Sequence, residues 1–140
     1  MPRLLPAVLI LSATLAAQAP PESPQPVATM KQLMVDVIHP ASNGLLLLVF
    51  RGGPDTDKDW AEARRSALTL AESGNLLVLR NRTPAWVADA KLLTDVGAAA
   101  YKAAEAKDAK ALAALSDRID AACTICHRRT RTIFRGIDSR

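Results

Sequence analysis

Hydrophobic and small residues recur every three or four positions along most of the chain, the spacing of helices that bury one face. The first stripe predicts a helix over about 27–50 and consists of Val27, Met30, Met34, Val37, Ala41, Leu45 and Leu48. Similar stripes predict a second helix over about 57–78, a third from Pro84 to about Ala104, and a fourth that carries Cys126. Four helices of similar length with short connections predict an all-α fold, an antiparallel up-down-up-down four-helix bundle.

Two features modify this pattern. His39–Pro40 lies inside the first predicted helix, where the missing N–H and the proline ring should kink the helix or divide it in two. Trp60 and Trp86 stand at the starts of the next two helices, where we expect them to cap the ends of the core. The later stripes are rich in alanine, so either a large apolar cofactor fills the core or the helices pack closely together.

Composition narrows the class of protein. The chain has 140 residues, 49% of them hydrophobic and 23% charged, which predicts one folded domain and argues against intrinsic disorder. Two cysteines cannot form a scaffold of several disulfides. The formal net charge of +4 is weak support for nucleic-acid binding, and since no groove-reading motif accompanies it we expect no nucleic-acid partner.

The N-terminal segment has the layout of a secretory signal peptide over residues 1–19. Arg3 precedes an apolar run from Leu4 to about Leu15, and small residues follow it. That run is shorter than a membrane-spanning helix, so we expect export to the periplasm and no stable membrane span. The cleavage site stays open, because a cut after Ala19 would place a proline next to it. Residues 20–26 are a proline-rich lead-in, and residues 27–140 are the predicted domain.

The segment from Cys123 to His127 contains the main candidate functional residues of the chain. It reads C-x-x-C-H, which on a helix places two thiols one turn apart with an imidazole beside them. This is the attachment sequence of c-type haem, in which the thiols add to the two vinyl groups and the imidazole binds the iron. We therefore predict one covalently attached haem c, held by Cys123 and Cys126, with His127 as an iron ligand.

Three other uses of these residues compete with haem. A dithiol redox site normally lies at the N-terminus of a helix, whereas this motif comes late in its helix. A zinc half-site needs further ligands, and His39 is the one other histidine. A disulfide between Cys123 and Cys126 would be strained within a continuous helix. A haem-free helical bundle in which the motif is incidental is a further alternative.

With the motif on its last helix, the chain resembles the cytochrome c′ family, the class II c-type cytochromes. The resemblance spans about Val27 to Phe134 and is specific at Cys123, Cys126, His127 and Arg131. It implies a four-helix bundle with a haem on the fourth helix, and Arg131 is the residue we assign to a haem propionate. The family usually has a tyrosine three residues after the haem histidine, where this chain has Thr130.

The first helix should supply the distal face of the iron, because its start and the end of the fourth helix share one end of such a bundle. Met34 is the predicted sixth ligand, as in the low-spin, six-coordinate members that this chain resembles more closely. Met30, one turn earlier, is interpreted as a core residue. His39 is a stronger intrinsic ligand but lies roughly 140° around the helix from Met34.

These observations predict a periplasmic monohaem cytochrome for electron transfer and not an enzyme. The arginines near the C-terminus suit an acidic redox partner protein. The alternative is a five-coordinate cytochrome c′-like protein that binds nitric oxide or another small gas. The resemblance also implies a homodimer through the first two helices, and the run Leu45–Phe50, apolar all round, suits either a dimer contact or a buried helix end.

Overall fold

The computed structural model describes the backbone of residues 25–138 and the side chains of residues 25–130. The predicted signal peptide, most of the proline-rich lead-in and the side chain of Arg131 lie outside the described residues. Within 25–138 the chain is all-helical, with no strand. Its four long helices are compatible with a bundle, and the helices are α1 (Met30–Phe50), α2 (Asp57–Val78), α3 (Pro84–Glu105), the short α4 (Ala109–Ala113) and α5 (Ser116–Asp138).

Local sequence explains where these helices begin. Thr56 accepts a hydrogen bond from the backbone N–H of Asp59, whose carboxylate accepts one from the backbone of Thr56, so a capping box opens α2. Thr29 and Gln32 form the same motif at the start of α1. Pro84 occupies the first turn of α3, where its missing N–H costs nothing. These signals account for the agreement between the predicted and observed starts of α2 and α3.

A π-helical turn over Leu33–Ile38 interrupts α1. The backbone N–H of His39 donates to the carbonyl of Met34, five residues earlier, instead of four. Pro40 follows at once, and its ring would clash with the carbonyl four residues before it in a regular α-helix. The interruption predicted at His39–Pro40 therefore takes the form of a widened turn within one helix. It also brings Leu33 and Ile38, five positions apart, to the same buried face.

The closest packing is between α2 and α3, and small residues make it possible. A β-carbon added at Gly97 would collide with the backbone of Ala71. One added at Gly74 would collide with the hydroxyl of Thr94 and lie 2.7 Å from the carbonyl oxygen of Ala90. The alanine-rich stripes of these two helices are thus explained by their close approach, so no cofactor is needed to fill the space between them.

Both tryptophans are buried, as expected for residues that close the ends of the core. The indole N–H of Trp86 donates to the carbonyl of Leu77 at 2.9 Å and so ties the start of α3 to the end of α2. The apolar run Leu45–Phe50 divides between core and surface: Leu45 and Leu48 are buried, while Phe50 is 81% exposed.

Helix α1 is long and apolar enough to cross a membrane by length and composition. Its mean hydropathy reaches 1.6, and 33% of that stretch is buried inside the protein. Core helices of soluble proteins and signal sequences near an N-terminus meet the same criterion.

Helix α5 packs mainly against α3 and touches α1 at only a few positions along its described length. A helix in a bundle normally packs against two neighbours. The face of α5 that is directed at α1 is therefore incompletely covered by protein, and the C-x-x-C-H motif lies on this helix.

Candidate functional site

The motif lies two turns inside α5, which is continuous from Ser116 to Asp138. Cys126 is buried, with 8% of its surface exposed, Cys123 is half-buried, and His127 is exposed. Both thiols are free. A position in the middle of a helix differs from the helix N-terminus at which reactive dithiols are usually found.

Side chains from α1 and α5 meet at one small cavity of about 30 Å³. Met34 reaches it from the π-helical turn of α1, and the two cysteines and the histidine of the motif reach it from α5. Other side chains that line it are Ile38, Leu77, Asp89, Leu93 and Ala122. Four of the five site residues predicted from the sequence therefore surround a single cavity.

The other two side chains considered for the distal position do not line this cavity. Met30 is half-buried and packs against the core one turn before Met34. His39 is exposed. Of these three side chains on α1, Met34 is the one that lines the cavity.

An open cleft of about 350 Å³ borders the same motif and is lined by Cys123, Thr124, His127 and Arg128. Cys123 and His127 line both spaces. The motif thus lies between an apolar cavity directed at α1 and a cleft that opens to solvent.

These residues suit a covalently attached haem. Two thiols one turn apart on one helix face match the two vinyl groups, while an imidazole and a thioether line the same cavity. Ile38, Leu77 and Leu93 provide an apolar wall for a macrocycle. Contact between α5 and α1 is sparse along the described length of α5.

Asp89, which the sequence analysis did not single out, is the buried charged residue of this region, with 4% of its surface exposed. Arg129 donates two hydrogen bonds to its carboxylate, from Nε at 2.6 Å and from a terminal guanidinium nitrogen at 3.1 Å. The sequence contained a signal for it: Asp89 follows Trp86 by three positions and precedes Leu93 by four, so it lies on the buried stripe of α3.

The electrostatics of the thiols argue against a dithiol redox centre. Burial raises the pKa of Cys123, and the nearby charge of Asp120 adds to the effect. Burial also raises the pKa of Cys126, with a further contribution from Asp89. Dithiol oxidoreductases need a thiol whose pKa is lowered, which is the opposite of what both cysteines have here.

The zinc alternative finds no additional support. In the part of the chain that the structure describes, no three histidine, cysteine, aspartate or glutamate side chains form a group that could hold a metal ion.

Thr130 occupies the position at which class II cytochromes usually have a tyrosine. Its hydroxyl donates to the carbonyls of His127, at 2.9 Å, and Cys126, at 3.3 Å. The side chain is therefore engaged by the backbone of its own helix. Arg131, predicted to bind a propionate, lies outside the described side chains.

Comparisons of the chain with protein-family models, curated proteins and solved structures give no match. The resemblance to class II cytochromes thus rests on the sequence motif and its place on the last long helix.

Proposed function

We propose that this protein is a periplasmic monohaem c-type cytochrome that transfers electrons and catalyses no reaction on a substrate. The observation that carries the proposal is the shared cavity, where Met34 of α1 meets Cys123, Cys126 and His127 of α5. A sulfur ligand on one helix and a complete haem-attachment motif on another, lining the same space, are the parts that such a cytochrome requires.

In this proposal Cys123 and Cys126 hold the haem as thioethers, His127 is the proximal ligand and Met34 is the distal ligand. Arg131 is assigned to a propionate. A haem with histidine and methionine ligands supplies reversible one-electron exchange at a raised potential. The chain contributes Ile38, Leu77 and Leu93 as apolar walls that keep water away from the iron.

The proposed arrangement of the helices is up-down-up-down. Arg80, just beyond α2, donates to the carbonyl of Ala28, just before α1, so the end of one helix lies near the start of the other. Lys107, just beyond α3, pairs with Asp57 at the start of α2. Both contacts are those of antiparallel neighbours and support this arrangement, in which the start of α1 and the end of α5 would share one end of the bundle.

The proposed location and partner follow from the chemistry. Covalent haem attachment takes place outside the cytoplasm, in keeping with the signal-peptide layout of residues 1–19. Basic side chains next to the motif favour an acidic redox protein as the partner.

Optical spectra of protein matured in the periplasm test this proposal. The spectra are recorded oxidised and reduced, with and without carbon monoxide, for wild type, Met34→Ala and the control Met30→Ala. We expect a low-spin wild type that resists carbon monoxide, and the same behaviour in Met30→Ala. Met34→Ala should become high-spin and bind carbon monoxide, because it lacks the thioether that lines the cavity.

Two results would change the conclusion. A high-spin wild type that binds carbon monoxide, unaltered by Met34→Ala, would favour the five-coordinate gas-binding protein. Wild type without haem absorbance, despite haem-maturation machinery in the host, would contradict any haem function.

A further inference from the structure

A partly buried ion pair joins the helix that carries the motif to α3. Among the described side chains, Asp89 is the one charged residue that is buried. Its partner Arg129 comes two residues after His127, and its own side chain is 44% exposed. The pair spans 40 positions in sequence and is therefore a tertiary link between α3 and α5.

The geometry of the pair restricts how α5 can rotate. Two hydrogen bonds from one guanidinium to both carboxylate oxygens fix direction as well as distance. Because α5 has few contacts with α1, this link and the packing against α3 set which side chains of α5 are directed at the cavity. With Arg129 held on α3, Cys126 is buried and His127 lines the cavity.

Asp89 also places a negative charge in the wall of the cavity. Its carboxylate is shielded from water, whereas the guanidinium of Arg129 is partly solvated, so water screens the positive partner more. Asp89 lines the cavity whereas Arg129 is not among the lining residues, so the electrostatic potential of the pair inside the cavity is negative. A negative potential stabilises ferric over ferrous iron.

We propose that Asp89 is a positioning residue of the haem site, which orients the motif through Arg129 and lowers the reduction potential of the haem by its charge. The second effect rests on the proposed function, whereas the first concerns the polypeptide alone. Separate measurements address the two effects.

The reduction potential tests the charge. Asp89→Asn keeps the shape of the side chain and removes its charge, and Asp95→Asn is the matched control. Asp95 lies on the same helix, is 46% exposed and pairs with Lys91. At a fixed ambient potential we expect Asp89→Asn to raise the ratio of reduced to oxidised haem by on the order of tenfold. Asp95→Asn should leave this ratio unchanged.

Thiol accessibility tests the positioning without haem. In Cys123→Ser, Cys126 is the one remaining thiol of the chain. Because Asp89 also raises the pKa of this thiol, the rate at which the haem-free protein reacts with a thiol reagent is recorded across pH and corrected to the fully ionised thiol. The corrected rate then reports how well Cys126 is buried. We expect Asp89→Asn to speed this reaction several-fold and Asp95→Asn to have no effect.

The outcomes separate the two ideas. Equal potentials in Asp89→Asn and wild type would overturn the role of the charge, and equal labelling rates in the Asp89 and Asp95 variants would overturn the positioning role. If wild type takes up no haem, the proposed function fails, and the labelling rates alone then decide the role of Asp89.

Discussion

Asp59 closes the first turn of α2 and makes stability depend on pH. Hydrogen bonds from the hydroxyl and then the backbone of Thr56 lower the pKa of its carboxyl. A group whose pKa is lower in the folded state stabilises the fold above its unfolded value, here about 3.8, and loses that contribution as the pH falls through the folded value. We expect Asp59→Asn to be less stable than wild type at pH 6 and to approach it as the pH falls below 3.8.

Urea unfolding followed by circular dichroism at several pH values measures this convergence. A stability difference that stays constant from pH 6 to pH 2 would show that the charge of Asp59 plays no part in the cap.

Single residues differed in how well the sequence predicted them. Cys123, Cys126 and His127 are candidates from the sequence alone because their chemistry lies in five consecutive positions. Asp89 could not be identified in this way, since the function of a buried carboxylate depends on Arg129, which comes 40 positions later. The sequence places Asp89 on the buried stripe of α3 but contains no local sign of its partner.

Substitution of Gly97 by alanine tests the close approach of α2 and α3. A β-carbon at this position meets the backbone of Ala71, which cannot move without shifting a helix. We expect Gly97→Ala to reduce the free energy of unfolding by about 1–3 kcal/mol, the usual cost of overpacking. Chemical denaturation measures this change.

Gly44→Ala is the matched control for this substitution. Its β-carbon would lie 3.0 Å from the hydroxyl oxygen of Ser66, which can rotate away. Alanine also favours a helix over glycine by up to about 1 kcal/mol. Gly44→Ala should therefore be neutral or stabilising, and an equal loss in both variants would mean that general crowding, rather than the α2–α3 contact, dominates.

The helices themselves were largely predictable. Periodicity and caps predicted α2 over 57–78 and α3 from Pro84, because these signals are local. The form of the interruption in α1 was not predictable. Proline predicts that the helix is irregular near that position. Whether the helix kinks, divides or widens into a π turn depends on which of its faces must pack against the other helices. The separate helix α4 was missed for a similar reason, since its five residues continue the apolar stripe of α5.

At the scale of the molecule, the candidate site depends on the register of α1 as much as on the motif. The π-helical turn aligns Met34 and Ile38 with the same cavity. The start of α1 is held near the end of α2 by the hydrogen bond from Arg80 to the carbonyl of Ala28. The sequence alone predicted Met34, rather than Met30 or His39, as the candidate ligand of α1. The structure adds that, of these three side chains, Met34 is the one that lines the cavity.

The uneven packing of the bundle predicts which helices the proposed haem would stabilise. Helices α2 and α3 form a close-packed pair, whereas α5 contacts α1 at few positions. Haem bound between α1 and α5 should therefore protect the segments 30–38 and 116–130 from hydrogen exchange and change α2 and α3 much less. The comparison is between haem-loaded wild type and Cys123→Ser/Cys126→Ser, which cannot form thioethers. Equal protection in both proteins, or a gain spread evenly over all helices, would place the haem somewhere other than between these two helices.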